Sequence, residues 1–322
     1  MRLALAGDTM LGRGVAERLA SRGPGSLFAP EVAAAARAAD LVVLNLECCL
    51  SERGAPWPDP DKPFFFRAPP AAVEALTLLG VDCVTLANNH ALDYGEEALR
   101  DTFEHLAAAG IRWVGAGPDL ERARAPIVLE ADGFRLAVVG VTDHPAAYAA
   151  GADSPGVAYA NLWNEDVPEW LLRGIGRARQ EADAVLVMPH WGPNMRAEPA
   201  PHVRRAGAQL VEAGATLVAG HSAHAFQPVE GRVLYDLGDF VDDYAVYPAV
   251  RNDLGILWLV DLDESGPQNV EALPLKLDYC HTRVATGDDR DWIERRLSSV
   301  APSASTFTIS VGGGDSREPD PA

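Results

Sequence analysis

Five apolar runs in this chain each stop on side chains that can bind a metal ion, and this regularity constrains the fold more than any other feature. Residues 2–6 run into Gly7-Asp8, 41–44 into Asn45-Leu46-Glu47, and 81–87 close on Asn88-Asn89-His90. Residues 184–188 lead to Pro189-His190, and 216–219 lead to Gly220-His221-Ser222-Ala223-His224. Helical periodicity lies between these runs: 11–20, 70–79 stopped by Gly80, 95–109 with Leu99, Phe103 and Leu106 on one face and Gly110 at its end, 164–180, and 203–213. Strand, polar residue, helix is the rhythm of an α/β sandwich. In parallel α/β sheets the carboxyl ends of the strands lie along one edge, so residues far apart in sequence meet there.

The middle and end of the chain change character. Residues 125–130 and 134–141 flank Ala131-Asp132-Gly133, an Asp-Gly hairpin signal, so antiparallel pairing is expected there. Further strand-like runs follow at 226–230, 233–237, 256–262 and 270–276. Residues 1–300 read as a single domain, and 301–322, rich in Ser, Gly and Pro, read as a flexible tail. The Pro-rich loop 51–69 holds Trp57, Phe64, Phe65, Phe66 and Arg67, and aromatic loops without regular structure often cover a site. Together with 144–163 it is expected to shape the pocket.

Charge narrows the partners. Lys and Arg number 27 against 46 Asp and Glu, a net charge of −19 that repels a phosphate backbone, so nucleic acid is not expected as a partner. No stretch has the length of a membrane span or the layout of a signal peptide. Cys48, Cys49, Cys83 and Cys280 show no CxxC spacing and read as reduced thiols of a cytoplasmic protein.

Taken singly, each polar strand end has an ordinary explanation. Asp8 would cap a helix, Glu47 would sit in a surface loop, Asn88 and Asn89 would form a turn, and His190 would be a satisfied buried histidine. Together they are two carboxylates, amides and up to four histidines, an oxygen and imidazole set that suits Mn, Fe or Zn. Without thiolates a structural zinc site is not expected. Six ligands exceed the needs of one tetrahedral ion, so one or two divalent ions are expected, a pair sharing a bridging carboxylate. That arrangement generates a hydroxide nucleophile in two-metal hydrolysis. His105, His202 and His281 are set aside, His144 lies in a loop after Asp143, and Gly115-Ala116-Gly117 reads as a turn.

Six motifs in order carry a resemblance: Gly7-Asp8-Thr9-Met10-Leu11-Gly12-Arg13, Asn45-Leu46-Glu47, Ala87-Asn88-Asn89-His90 with Leu92-Asp93-Tyr94-Gly95, His190-Trp191-Gly192, Gly220-His221-Ser222-Ala223-His224, and Tyr235-Asp236-Leu237-Gly238-Asp239-Phe240. They resemble the CapA family of poly-γ-glutamate capsule biosynthesis, related to the calcineurin-like metallophosphoesterases. The resemblance implies a four-layer α/β/β/α sandwich with a dinuclear site at one edge. It implies Asp8 and His224 on a first ion, Glu47 as the bridge, and Asn89, His190 and His221 on a second. His90 would be the general acid that protonates the leaving group.

Two departures stand out. The phosphoesterases read Asp-x-His at the first motif, where this chain has Met10, and they carry Asp where it has Glu47. Arg13 would enter the space left at position 10 and offer a fork to an anion. Asn88 and Arg67 are further candidates for substrate binding. Family members tied to capsule synthesis carry an N-terminal membrane anchor, whereas this chain starts on its first strand, so a soluble cytoplasmic relative is expected. The expected function is a metal-dependent phosphoesterase acting on a small anionic substrate through a metal-bound hydroxide. The alternatives are hydrolysis or transfer at a γ-glutamyl amide of a glutamyl polymer, and a non-catalytic accessory role in polymer synthesis.

Overall fold

Alternation along the first strand, Arg2–Thr9, sets the layers of the molecule. In the computed structural model, which describes residues 1–164, 166–300 and 308–312, Leu3 and Leu5 point into one core and Ala4 and Ala6 into another. The core on the leucine side is shared with a second sheet, through Leu136, Val138, Leu186 and Met188. The core on the alanine side is closed by helices, through Val15, Leu76, Leu99 and Leu106. Strand Ala184–His190 repeats the device, with Leu186 facing the first sheet and Val185 and Val187 facing the helices that carry Ile175 and Leu210. Two sheets packed face to face, each covered by helices outside, make the four-layer α/β/β/α sandwich.

The first sheet runs His281–Val284, Gly266–Asp278, Leu254–Asp263, Arg2–Thr9, Leu41–Leu46, Cys83–Thr85 and Arg112–Val114. From Arg2–Thr9 to Arg112–Val114 the neighbours are parallel, so their carboxyl ends share one edge. The second sheet contains Phe134–Thr142, Ala184–His190, Leu217–Ala219 and Val233–Leu234, also mutually parallel. The Asp-Gly hairpin forms as expected: Ala131 pairs with Phe134, and Asp132 and Gly133 take φ of 51° and 79°, the two left-handed residues that a type I′ turn requires.

Several boundaries differ from the sequence expectation for identifiable reasons. The first helix is Arg13–Arg22 with Gly12 as its N-cap, so Asp8 is not a cap. The helix expected over 164–180 is Glu169–Glu181, starting just after Pro168, whose ring disfavours helical backbone in the residue before it. The strand expected over 226–230 shrinks to Val229–Glu230 directly after Pro228. Helices Pro30–Arg37 and Gly287–Val300 were not expected. Thr308–Val311, within the expected tail, pairs in parallel with Gly266–Asp278. The rest of 301–322 lies outside the described residues. Among the described residues, no helix is long and apolar enough to cross a membrane.

One close approach positions the future site. The short strand Asp239–Val241 lies parallel to Arg2–Thr9 with Asp239 opposite Asp8, and the Asp8 N–H donates to the Gly238 carbonyl at 3.0 Å. A Cβ on Gly7 would stand 1.7 Å from the Gly238 oxygen, so this contact requires glycine. Gly7→Ala is expected to destabilise the fold by about 1–3 kcal/mol, read as a shift of the urea midpoint.

Candidate metal centre

The strand ends converge through an amide chain. Asn45 Nδ2 donates to Asp8 Oδ1 at 2.7 Å, Asn88 Nδ2 donates to Asn45 Oδ1 at 2.9 Å and to the Leu46 carbonyl at 2.8 Å, and the His90 N–H donates to Asn88 Oδ1 at 3.0 Å. Three parallel strand ends are thereby held in register. From the other sheet, Asp236 accepts from the Ala223 N–H at 2.7 Å and the Gly238 N–H at 2.8 Å, tying the histidine turn to the Asp239 strand. Ser222 and His224 take φ of 110° and 57°, conformations that side-chain-bearing residues adopt at a cost and that concentrate at functional sites.

These constraints gather Asp8, Glu47 and His224, whose ligand atoms all lie within 4.8 Å of one another and which are all buried. His224 Nδ1 is 3.3 Å from Asp8 Oδ2 and 2.9 Å from Asp239 Oδ1. Asp8 Oδ2, both carboxylate oxygens of Glu47, Asn89 Oδ1 and His190 Nδ1 are buried without hydrogen-bond partners. His190 and His221 pair as a bridge between their strand ends.

The electrostatics point the same way. Burial drives the Glu47 carboxyl well above the ordinary carboxylate range, and the charge of Asp8 adds to the effect against the pull of His224. Burial also raises Asp8, but the neighbouring histidines, His224 first, outweigh it and hold that carboxyl low. Burial pushes His190 well down and His221 down to about 4, only partly opposed by Asp8, which keeps both imidazoles in the neutral form that coordinates metals. Buried carboxylates facing neutral imidazoles and an unpaired amide oxygen are costly unless a cation joins them. The donor set therefore fits a divalent ion of the Mn, Fe or Zn kind. Asp8, Glu47 and His224 form the tight group, and Asn89, His190 and His221 supply further unpaired donors beside it.

A cavity of about 230 Å³ opens next to this group, lined by His90, His224, Arg13, Phe64, Phe66 and Tyr244 among others. His90 Nδ1 is 2.6 Å from Asp93 Oδ2, and its Nε2 is 3.8 Å from Glu47 Oε1. Asp93 is itself fixed by Lys62 Nζ at 3.0 Å and by the Tyr148 hydroxyl, which donates to its Oδ1 at 3.1 Å.

Three of the expected roles need correction. The Asn88 amide, expected at the substrate, is committed in the structure to Asn45, Leu46 and the His90 N–H. Arg67 is turned elsewhere, its guanidinium 4.1 Å from the Tyr94 ring centre and its Nη1 donating to the Arg53 carbonyl at 3.1 Å. Arg13 does not fill the place of a missing ligand. Its Nε meets Asp243 Oδ2 at 3.2 Å, and its guanidinium lies over Phe64 and Phe66 in the cavity wall. Met10 is a core residue whose sulfur accepts the Gly12 N–H at 3.1 Å.

Comparison with known proteins agrees with the motifs. Residues 2–244 match the family described as bacterial capsule synthesis protein PGA_cap. The chain belongs to this capsule synthesis family. It is 32% identical over 279 residues to a Mycobacterium tuberculosis protein described as "Probable polyglutamine synthesis accessory protein", covering 82% of this chain and 73% of that one. It is 29% identical over 310 residues to the Bacillus anthracis capsule biosynthesis protein CapA, covering 92% and 72%. Among solved structures, a hypothetical protein from Thermus thermophilus aligns over 86% of this chain and 99% of its own, at 15% identity and a TM-score of 0.49.

In this PGA_cap member, sequence reasoning left Asp93, Asp239 and Asp236 without roles. Asp93 stands three residues after His90, a spacing that would have suggested a pair across one turn. Asp239 begins a three-residue strand and shows no periodic signal; only the register opposite Asp8 reveals it. His144 approaches the site edge, its ring 5.3 Å from that of His190. Because Asp239 orients His224, Asp239→Asn is expected to weaken Mn²⁺ binding about 10- to 100-fold in equilibrium dialysis, with the fold retained by circular dichroism.

Proposed function

We propose that this protein is a metal-dependent hydrolase and that its reaction is cleavage of a phosphoester on a small anionic substrate. The observation that carries the reading is the His90–Asp93 pair, held at 2.6 Å, with His90 lining the cavity and its Nε2 3.8 Å from Glu47 Oε1. Asp8, Glu47 and His224, with Asn89, His190 and His221 beside them, would hold the ion or ions. A bound divalent ion there supplies Lewis-acid polarisation of a phosphoryl oxygen. Asp93 fixes the His90 ring through Nδ1, leaving Nε2 to hold and deliver a proton to the departing oxygen. Burial pushes the free His90 imidazole down to about 4 against the pull of Asp93, and an anionic phosphoryl group placed against Nε2 favours the protonated ring.

Manganese-loaded protein is expected to hydrolyse p-nitrophenyl phosphate. His90→Ala should lower kcat about 10²- to 10⁴-fold while metal content by elemental analysis stays unchanged. Asp93→Asn should lower kcat in the same direction. Inactivity of the metal-loaded protein toward both phosphomonoesters and phosphodiesters would sink the reading.

A second reading is supported by the family and by the names of its relatives, which point to polyglutamyl synthesis. The same Lewis acid can polarise a γ-glutamyl carbonyl. Release of glutamate from γ-glutamyl peptides without phosphate release would favour it. A protein with 46 acidic and 27 basic residues offers no long-range attraction to a polyanionic polymer, which supports the small substrate over the chain.

A further inference from the structure

We infer that the cavity beside His90 receives an aromatic leaving group, so that the preferred substrates are phosphoesters of a phenol-type alcohol; this rests on the phosphoester reading above. His90 would protonate the leaving oxygen, so whatever lines the space next to His90 selects the group that leaves. That lining is aromatic. Phe66 stacks on the His90 ring at 4.0 Å with 28° between planes, Tyr244 lies 5.7 Å from Phe66 at 27°, and Phe64 lies 6.5 Å from Phe66 at 15°. Near-parallel rings leave flat faces, which favour a flat apolar occupant.

The rim gives an independent reason. Among the described residues the large apolar side chains left exposed are few, and three of them, Phe64, Val246 and Tyr247, stand at or beside this one opening, with Phe64 56% and Tyr247 51% exposed. Clustered exposed apolar groups mark a binding surface, whereas scattered ones do not. Asn194, His90, His224 and the Tyr244 and Tyr247 hydroxyls supply the polar part of the lining. Its guanidinium, on Arg13, is engaged by Asp243 and lies 5.4 Å and 5.5 Å from the Phe64 and Phe66 ring centres, where it stiffens the aromatic wall.

The test compares phenyl phosphate with methyl phosphate as substrates, and phenylphosphonate with methylphosphonate as non-hydrolysed probes by calorimetry, using manganese-loaded wild type, Phe64→Ala and Tyr247→Ala. Each variant is expected to lower the phenyl-to-methyl ratio of kcat/KM about 3- to 10-fold, through KM, and to weaken phenylphosphonate binding by a similar factor. Comparing the ratio between proteins cancels the intrinsic difference in reactivity of the two esters. An unchanged ratio, or phenylphosphonate binding no tighter than methylphosphonate to wild type, overturns the assignment of the cavity while leaving the phosphoester reading intact. Ring-dependent phenylphosphonate binding without turnover of either ester supports the aromatic cavity and overturns the phosphoester reading.

Discussion

The carboxylates of Asp8 and Glu47 are buried side by side with three of their four oxygens unpartnered, and the rest of the architecture is organised around that cost. Burial and the charge of Asp8 disfavour ionisation of Glu47 in this weakly screening interior, and the His224 imidazole is the pair's positive counterpart. A protein interior tolerates this when a cation completes the set. The neutral His190 and His221 and the free Asn89 oxygen are donors of the kind that such a cation would take up.

Holding these groups in place demands a stiff frame, and the frame is built from hydrogen bonds between strand ends. The Asp8, Asn45 and Asn88 chain locks three strand ends, and Asp236 locks the histidine turn to the Asp239 strand. Gly7 allows the two backbones to approach so that Asp239 meets His224. Asn88 is thus a structural member of the site. Both of its amide hydrogens and its oxygen are committed, and it sets the direction in which His90 faces.

Position 10 belongs to the core of the molecule. Met10 joins the helix-side core and its sulfur accepts the Gly12 N–H at the start of the first helix, so the backbone path of the motif is preserved without a coordinating side chain. Asp239 stands beside His224 from a neighbouring strand, and Arg13 pairs with Asp243.

The sequence by itself determined the layers and the edge. The unbroken apolar runs of Arg2–Thr9 and Ala184–His190 specify burial on both faces, and the polar residues at their ends mark where the strands stop. It also nominated Asp8, Glu47 and His224, whose ligand atoms the fold gathers within 4.8 Å of one another. Only the tertiary structure decided what those neighbours do with their remaining atoms. The pairing of Asp239 with Asp8, the support of His90 by Asp93, the withdrawal of Arg67 to Tyr94 and the commitment of Asn88 all depend on contacts between segments distant in the chain, or on which way a turn directs a side chain. Spacing along a sequence carries the period of a strand or helix; it carries no information about which of two acids, far apart in the chain, will lie within 3 Å of a given histidine.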